Sequence, residues 1–186
     1  MLRILVTYDT SDGQTEKVAH HVARQIERRG QAARLVNLDS PDDKSEIGDF
    51  DASFIIGAVH GGQHSQRLTE FVRSSKQSIE RTSNAFLSVS LSAASHETTD
   101  KLDAEAFMQE FERETGWTPQ YSMQVAGALH ERQFGWFQRT IVRVLLKQRN
   151  IVPEPSGETE LTNWPALDDF VRMFVEQVVS STAHTS

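Results

Sequence analysis

The sequence predicts an α/β fold of three layers, in which a parallel sheet is covered by helices on both faces. Three observations predict it. Short apolar runs rich in strand-forming residues alternate with stretches of helical periodicity, the first run begins at residue 2, and 186 residues suit one core. Strands joined by helices of this length form right-handed βαβ units, which build a parallel sheet. We therefore expect a single domain over residues 1–179 and a frayed tail over 180–186.

The first strand and the first helix are the clearest elements near the start of the chain. Residues 2–8 form an apolar run rich in strand formers, and the turn-prone cluster 9–13 follows it. From Thr15 the apolar residues recur at the spacing of one helix face, and Gly30 is placed to cap the end of that helix. A strand, a loop and a helix are therefore predicted in that order.

The rest of the chain repeats this alternation and ends in an amphipathic helix. Further strands are predicted near 33–38, 53–57, 85–90 and 121–126, and further helices over 68–79, 100–115 and 164–178. Residues 158–161 are predicted to form the second half of the fifth strand. Residues 128–157 would then be an insertion in that strand.

The insertion carries basic charge in an otherwise acidic chain. The net charge is −7, yet five basic residues and no acidic residue lie between positions 132 and 149. Residues 134–149 form a helical pattern with an apolar face and an opposite basic face. Such a helix rests on a protein core, on an anionic membrane surface or on an anionic ligand. The candidate residues for contacts to an anionic substrate or membrane are Arg132, Arg139, Arg143 and Lys147.

Composition excludes several classes of function. The chain has no cysteine, which excludes disulfides, thiolate nucleophiles, and iron–sulfur or zinc sites held by cysteine. Redox chemistry would need a bound cofactor, and we expect no metal site. The net negative charge argues against a general nucleic-acid binder. Residues 1–6 are too short and too soon charged for a signal peptide, and no apolar run approaches a membrane span. We expect a cytoplasmic protein that the basic helix can attach to the inner face of the cell membrane.

The loop after the first strand has the composition of a phosphate-binding loop. It lacks both the G-x-G-x-x-G pattern of dinucleotide sites and the G-x-x-x-x-G-K-[ST] pattern of nucleotide triphosphatases. Its hydroxyl groups and glycine precede a helix N-terminus, where backbone N–H groups and the helix dipole favour a phosphate dianion. A monophosphate held without lysine fits FMN better than ATP. The expected cofactor-binding residues are Thr10, Ser11, Asp12, Gly13, Gln14 and Thr15.

Several segments resemble the flavodoxin-like family. Residues 10–15 resemble its phosphate loop, S/T-x-x-G-N/Q-T, and the Asp-Gly-Gln-Thr form is similar to that of the menaquinone-dependent protoporphyrinogen oxidases. Further matching segments between residues 2 and 179 lie at 56–58, 86–91, 126–129, 135–137 and 162–164. Two segments depart from the family pattern: 58–65 is shorter, and 150–157 lacks a Gly-Asp-Thr-Asp-like run.

The resemblance implies a five-stranded sheet in the order 2-1-3-4-5, FMN as cofactor, and electron transfer from protoporphyrinogen or another small donor to a quinone, in heme biosynthesis. In this fold the cofactor lies beyond the carboxyl ends of strands 1, 3 and 4, so two further loops should flank its ring. The residues expected there are Ala58, Val59, His60, Gly61 and Gly62 in the second loop, and Ser90, Leu91, Ser92 and Ala93 in the third. The third loop would offer backbone N–H groups to the ring, and His60 is the candidate catalytic residue.

Other functions stay open at this point. The chain could be a flavodoxin-type electron carrier, an NAD(P)H:quinone reductase, or a flavin-free binding module. The first loop could serve only as a helix cap and turn, and Asp12 favours this because a carboxylate repels phosphate. The second loop could be a surface turn with exposed His60 and His64. The sequence leaves the oligomeric state undetermined.

Overall fold

Five parallel strands form the central sheet in the described part of the computed structural model. The structure describes residues 1–10, 13–40, 49–94, 98–130 and 158–183. The five strands are β1 (Arg3–Asp9), β2 (Ala32–Asn37), β3 (Ala52–His60), β5 (Ser83–Ser90) and β6 (Tyr121–Ala126). A short further strand, β4 (Gln63–His64), pairs antiparallel with the end of β3. The order β2-β1-β3-β5-β6 confirms the predicted order of the parallel strands.

Helices cover both faces of this sheet. The helices of the described chain are α1 (Gln14–Arg28), α2 (Gln66–Glu80), α3 (Thr98–Thr115) and α4 (Trp164–Ala183). On one face α1 and α4 pack against the sheet, and on the other α2 and α3 do so. Successive side chains of a strand point to opposite faces, so β1 places Ile4 and Val6 in the first core and Leu5 in the second. The predicted three-layer α/β fold is thereby confirmed.

The starts of α1 and α2 set the geometry of the sheet edge. Gly13 precedes α1 at φ 86°, a left-handed conformation that favours glycine. Ser65 caps α2, and its Oγ accepts a hydrogen bond from the N–H of Leu68 at 3.1 Å. Both helices therefore begin at defined positions just beyond the carboxyl ends of β1 and β3.

The chain after β6 departs from the prediction for the fifth strand. The strand β8 (Glu158–Glu160) pairs antiparallel with β7 (Ala128–His130) in a separate two-stranded sheet. The prediction that residues 158–161 complete the fifth strand of the main sheet is therefore wrong. A continuation there would need a neighbour, but β5 ends at Ser90 and a 3-10 turn, Ser92–Ala94, follows it.

The last helix is longer than the sequence predicts. Because α4 runs to Ala183, the predicted frayed tail over 180–186 is wrong for residues 180–183. The hydroxyl of Ser180 donates to the carbonyl oxygen of Glu176, one turn earlier, at 2.9 Å. Such bonds let a serine that usually favours helix ends continue the helix.

Candidate functional site

The ends of β1, β3 and β5 lie side by side and bring three loops to one edge of the sheet. Asp9 at the end of β1 is in register with Gly57, and Ala58 is in register with Val89 near the end of β5. Ligands of doubly wound sheets bind beyond the carboxyl ends of the strands, where the strand order reverses. Here the order reverses at β1 and β3, because β2 lies on the far side of β1.

The first loop presents a buried hydroxyl at the start of α1. Thr15 is fully buried, and among the described residues its Oγ1 has no hydrogen-bond partner. Thr10 holds the turn itself, because its Oγ1 accepts a hydrogen bond from the N–H of Gly13 at 3.0 Å. Buried polar atoms are rarely left without a partner, and this one lies at the positive end of a helix dipole. The loop therefore fits a phosphate group such as that of FMN.

Gln14 is placed differently from its neighbours. Its side chain is 2% exposed, and the amide nitrogen donates to Glu160 Oε1 at 2.8 Å and to Thr162 Oγ1 at 2.9 Å. The side chain thus connects the first loop to the end of β8 and to the residues that precede α4. Sequence spacing predicts a cofactor contact at this position and gives no sign of these partners.

An arginine from α2 binds the carboxylate that directly precedes the first loop. Arg67 Nη1 donates to Asp9 Oδ1 at 3.0 Å and also contacts Asp39. Asp9 is buried, so its charge needs such a partner. No motif in the sequence marks Arg67 as a site residue. The available signal was an acidic residue at the end of a buried strand, which predicts a cation close in space.

The second loop is a tight turn between β3 and β4. His60 and Gln63 pair across it, Gly61 and Gly62 have φ values of 58° and 85°, and His60 is exposed. The exposed His60 agrees with both alternatives left open by the sequence, a surface residue and a residue that faces a cofactor. Small residues leave room for a flat ring, because backbone can approach it closely.

His64 lies beneath this turn and is buried, not exposed. Its ring contacts those of Phe86 and Phe111 edge to face, with centroids 5.2 and 4.9 Å away, and its Nε2 is 3.3 Å from Ser88 Oγ. Burial lowers the pKa of His64 to about 4, although a backbone hydrogen bond at Ala58 acts in the opposite direction. The imidazole is therefore neutral at pH 7 and anchors the second loop to the core.

The third loop forms a 3-10 turn. Ser90 is buried, and its Oγ accepts a hydrogen bond from the N–H of Ala93 at 3.1 Å. The N–H of Ala94 donates to the carbonyl oxygen of Leu91 at 2.9 Å. These two N–H groups therefore stabilise the turn of the third loop itself.

Several predicted site residues lie outside the described residues. They are Ser11 and Asp12 in the first loop and Arg132, Arg139, Arg143 and Lys147 in the predicted basic helix. Their roles stay predictions. Within the described ranges, no helix is both long and apolar enough to cross a membrane.

Comparison with known families decides the classification. A family model described as "Flavodoxin domain" matches residues 5–153. The chain belongs to the flavodoxin domain family. Proteins of this family typically bind FMN, so the cofactor expected from the first loop is confirmed for the family.

Relatives of this flavodoxin domain agree with the resemblance seen in its motifs. Protoporphyrinogen IX dehydrogenase (quinone) of Escherichia coli (strain K12) is 23% identical over 171 residues, which cover 92% of this chain and 93% of the relative. The protein of the same name from Leishmania major is 25% identical over 175 residues, which cover 92% of this chain and 74% of the relative. The expected kinship with flavodoxin-type protoporphyrinogen oxidases is confirmed.

A solved structure agrees with the fold. Flavodoxin 1 from Bacillus cereus superposes with a TM-score of 0.53 at 16% sequence identity, covering 94% of this chain and 97% of that flavodoxin. At this identity the likeness concerns the fold alone.

Proposed function

We propose that this flavodoxin domain is an FMN-dependent oxidoreductase that passes electrons from protoporphyrinogen IX to a quinone. The observation that carries the flavin part is the buried Thr15 hydroxyl at the start of α1, which has no partner among the described residues. The substrate part rests on the relatives named protoporphyrinogen IX dehydrogenase (quinone), whose similarity extends over 92% of this chain.

The phosphate of FMN would be held by the first loop. Thr10, Thr15 and the first N–H groups of α1 supply hydrogen-bond donors, and the α1 dipole supplies positive potential. Arg67 neutralises part of the negative charge of Asp9, which would otherwise repel a dianion bound next to it. The turns at 58–62 and 90–93 would lie along the two sides of the ring.

Bound FMN supplies the capacity to take electrons from one molecule and give them to another. The protein then has to position the porphyrinogen and the quinone and to exclude competing acceptors. His60 is the nearest candidate for a proton acceptor, because it is exposed at the end of β3 beside the second loop. The protons lost by the porphyrinogen leave to solvent or to the reduced quinone.

The predicted basic helix is the proposed contact for the charged parts of the substrate. Protoporphyrinogen is an apolar macrocycle with propionate groups, and Arg132, Arg139 and Arg143 are proposed to bind these groups. The same basic face, with Lys147, is proposed to attach the protein to an anionic membrane surface, from which it would reach a membrane quinone.

The test is a paired measurement of flavin binding and turnover. Purified protein should bind FMN, seen as quenching of flavin fluorescence, and should oxidise protoporphyrinogen with a menaquinone analogue, seen as porphyrin fluorescence. Flavin binding without porphyrinogen oxidation would refute the substrate assignment. Rapid reduction by NAD(P)H would then identify a reductase, and a stable one-electron reduced flavin would identify an electron carrier.

A variant checks the phosphate site directly. Thr15→Val should weaken FMN binding by about 1–3 kcal/mol, because a hydrogen bond to a charged acceptor is lost while the side chain keeps its volume. Riboflavin, which lacks the phosphate, is the control ligand and should bind both forms equally. Unchanged FMN affinity in the variant would place the phosphate elsewhere.

A further inference from the structure

The Gln14 side chain joins two parts of the chain that are distant in sequence. It occupies the first position of α1, while its two acceptors, Glu160 and Thr162, lie 146 and 148 residues later. Both hydrogen bonds have short, normal distances of 2.8 and 2.9 Å. A side chain that is 2% exposed and held in this way is fixed in one conformation.

The acceptors of Gln14 are themselves anchored. Thr162 Oγ1 donates to the carbonyl oxygen of Ala126 at the end of β6 at 2.7 Å, and the N–H of Thr162 donates to Glu160 Oε1 at 3.1 Å. Glu160 is in register with Ala128 in the β7–β8 pair. The Gln14 amide is therefore bonded to a framework that includes the main sheet, the β7–β8 pair and the start of α4.

This geometry leaves the Gln14 side chain no donor for a phosphate. An amide nitrogen has two hydrogens, and both point to protein acceptors in this structure. The remaining atom, Oε1, is an acceptor that has no partner among the described residues, and a phosphate dianion supplies no hydrogen to it. A direct bond from this side chain to a phosphate would break at least one of the two bonds described above.

We propose that Gln14 is a positioning residue, which fixes the first turn of α1 through Glu160 and Thr162 so that the Thr15 hydroxyl and the backbone N–H groups face the phosphate of FMN. The inference rests on the proposed FMN site. The sequence spacing suggests that Gln14 contacts the phosphate directly. In this proposal Gln14 instead forms a hydrogen-bonded link between the phosphate loop and the chain that follows β8.

The experiment exchanges the two functional groups. Gln14→Glu should weaken FMN binding by at least about tenfold at pH 7.5, because two carboxylates then face each other at hydrogen-bond distance. Glu160→Gln alone should change binding by less than about threefold, because its amide oxygen can still accept the bond. The double variant should bind FMN clearly more tightly than Gln14→Glu alone, since the amide introduced at position 160 can donate to the carboxylate introduced at position 14. Recovery should be partial, because Thr162 Oγ1 gives its hydrogen to Ala126 and cannot donate to that carboxylate.

Riboflavin separates positioning of the phosphate loop from a general structural role. If Gln14 positions the loop, Gln14→Met, which removes both donors without adding a charge, weakens FMN binding much more than riboflavin binding. Equal weakening of both flavins would overturn the proposal. A double variant that binds FMN no more tightly than Gln14→Glu would also overturn it and would indicate a direct contact between residue 14 and the phosphate.

Urea unfolding of the flavin-free protein keeps this test separate from the proposed function. The effects of Gln14→Glu and Glu160→Gln on the free energy of unfolding should not add up in the double variant, because the Gln14–Glu160 bond exists without flavin. Original protein that binds no FMN would refute the FMN site. If the original protein binds FMN but the substitutions at positions 14 and 160 have additive effects on both FMN binding and unfolding, the proposed link between Gln14 and Glu160 is refuted. If Gln14→Glu does not fold, the comparison of the two flavins with Gln14→Met still tests the proposal.

Discussion

Lowering the pH from 7.5 to 5 should destabilise this protein by about 2 kcal/mol through His64 alone. The pKa of His64 is about 4 in the folded protein and 6.5 is its ordinary value, so between these values only the unfolded chain binds the proton. Stability from the neutral imidazole is therefore fully present above pH 6.5 and decreases as the pH falls toward 4. Each unit between the two pKa values corresponds to about 1.4 kcal/mol, which gives about 3 kcal/mol once the folded form is also protonated.

The measurement is urea unfolding at pH 7.5, 6 and 5, followed by circular dichroism. Other groups also titrate in this range, so the informative quantity is the difference between the original protein and His64→Gln, which has no proton to gain. His60→Gln, an exposed histidine in the same loop, is the matched control and should follow the original protein. Parallel pH profiles for the original protein and His64→Gln would refute the inference that the His64 imidazole is buried and neutral.

Three further predictions concern the sheet edge and the basic helix. Arg67→Gln should weaken FMN binding by about threefold and also lower stability, because it leaves the buried Asp9 carboxylate without its cation; FMN titrations at two salt concentrations and urea unfolding test this. Gly57→Ala should cost about 1–3 kcal/mol in urea unfolding, since its Cβ would overlap Leu68 Cδ2 and lie 2.9 Å from His64 Nδ1, whereas Gly127→Ala, at 3.7 Å from Val89, should cost little. Changing Arg139, Arg143 and Lys147 together to Gln should leave flavin content intact and reduce binding to anionic vesicles by about 1 kcal/mol per residue; a lowered melting temperature with unchanged vesicle binding would contradict this.

The strands and helices of the main fold could be predicted because their signals are local. The apolar run at 2–8 specifies β1, which is buried on both faces. The helical spacing after Thr15 specifies α1, which buries one face. The strand order needed the family resemblance, because periodicity does not tell which strands are neighbours. The pairing of β8 with β7 could not be predicted, since three residues carry too little pattern to choose between two partner strands.

The candidate site was predicted in outline and not in its supporting contacts. The first loop shows its chemistry in consecutive residues, so Thr10 and Thr15 could be named from sequence. The partners of Arg67 and Gln14 depend on distances across the fold. His64 looks like a loop histidine in the sequence, and only the β3–β4 pairing shows that its ring points into the core.

The contacts missed from sequence also explain how an acidic chain can present a phosphate loop. Carboxylates lie beside this loop, among them Asp9 before it and Glu160 against its side, and the protein has a net charge of −7. These two accept hydrogen bonds from protein donors: Asp9 from Arg67, and Glu160 from Gln14 and the N–H of Thr162. Their negative potential is thus offset locally before any ligand binds. The N–H groups and the dipole of α1 can then attract a dianion at the loop.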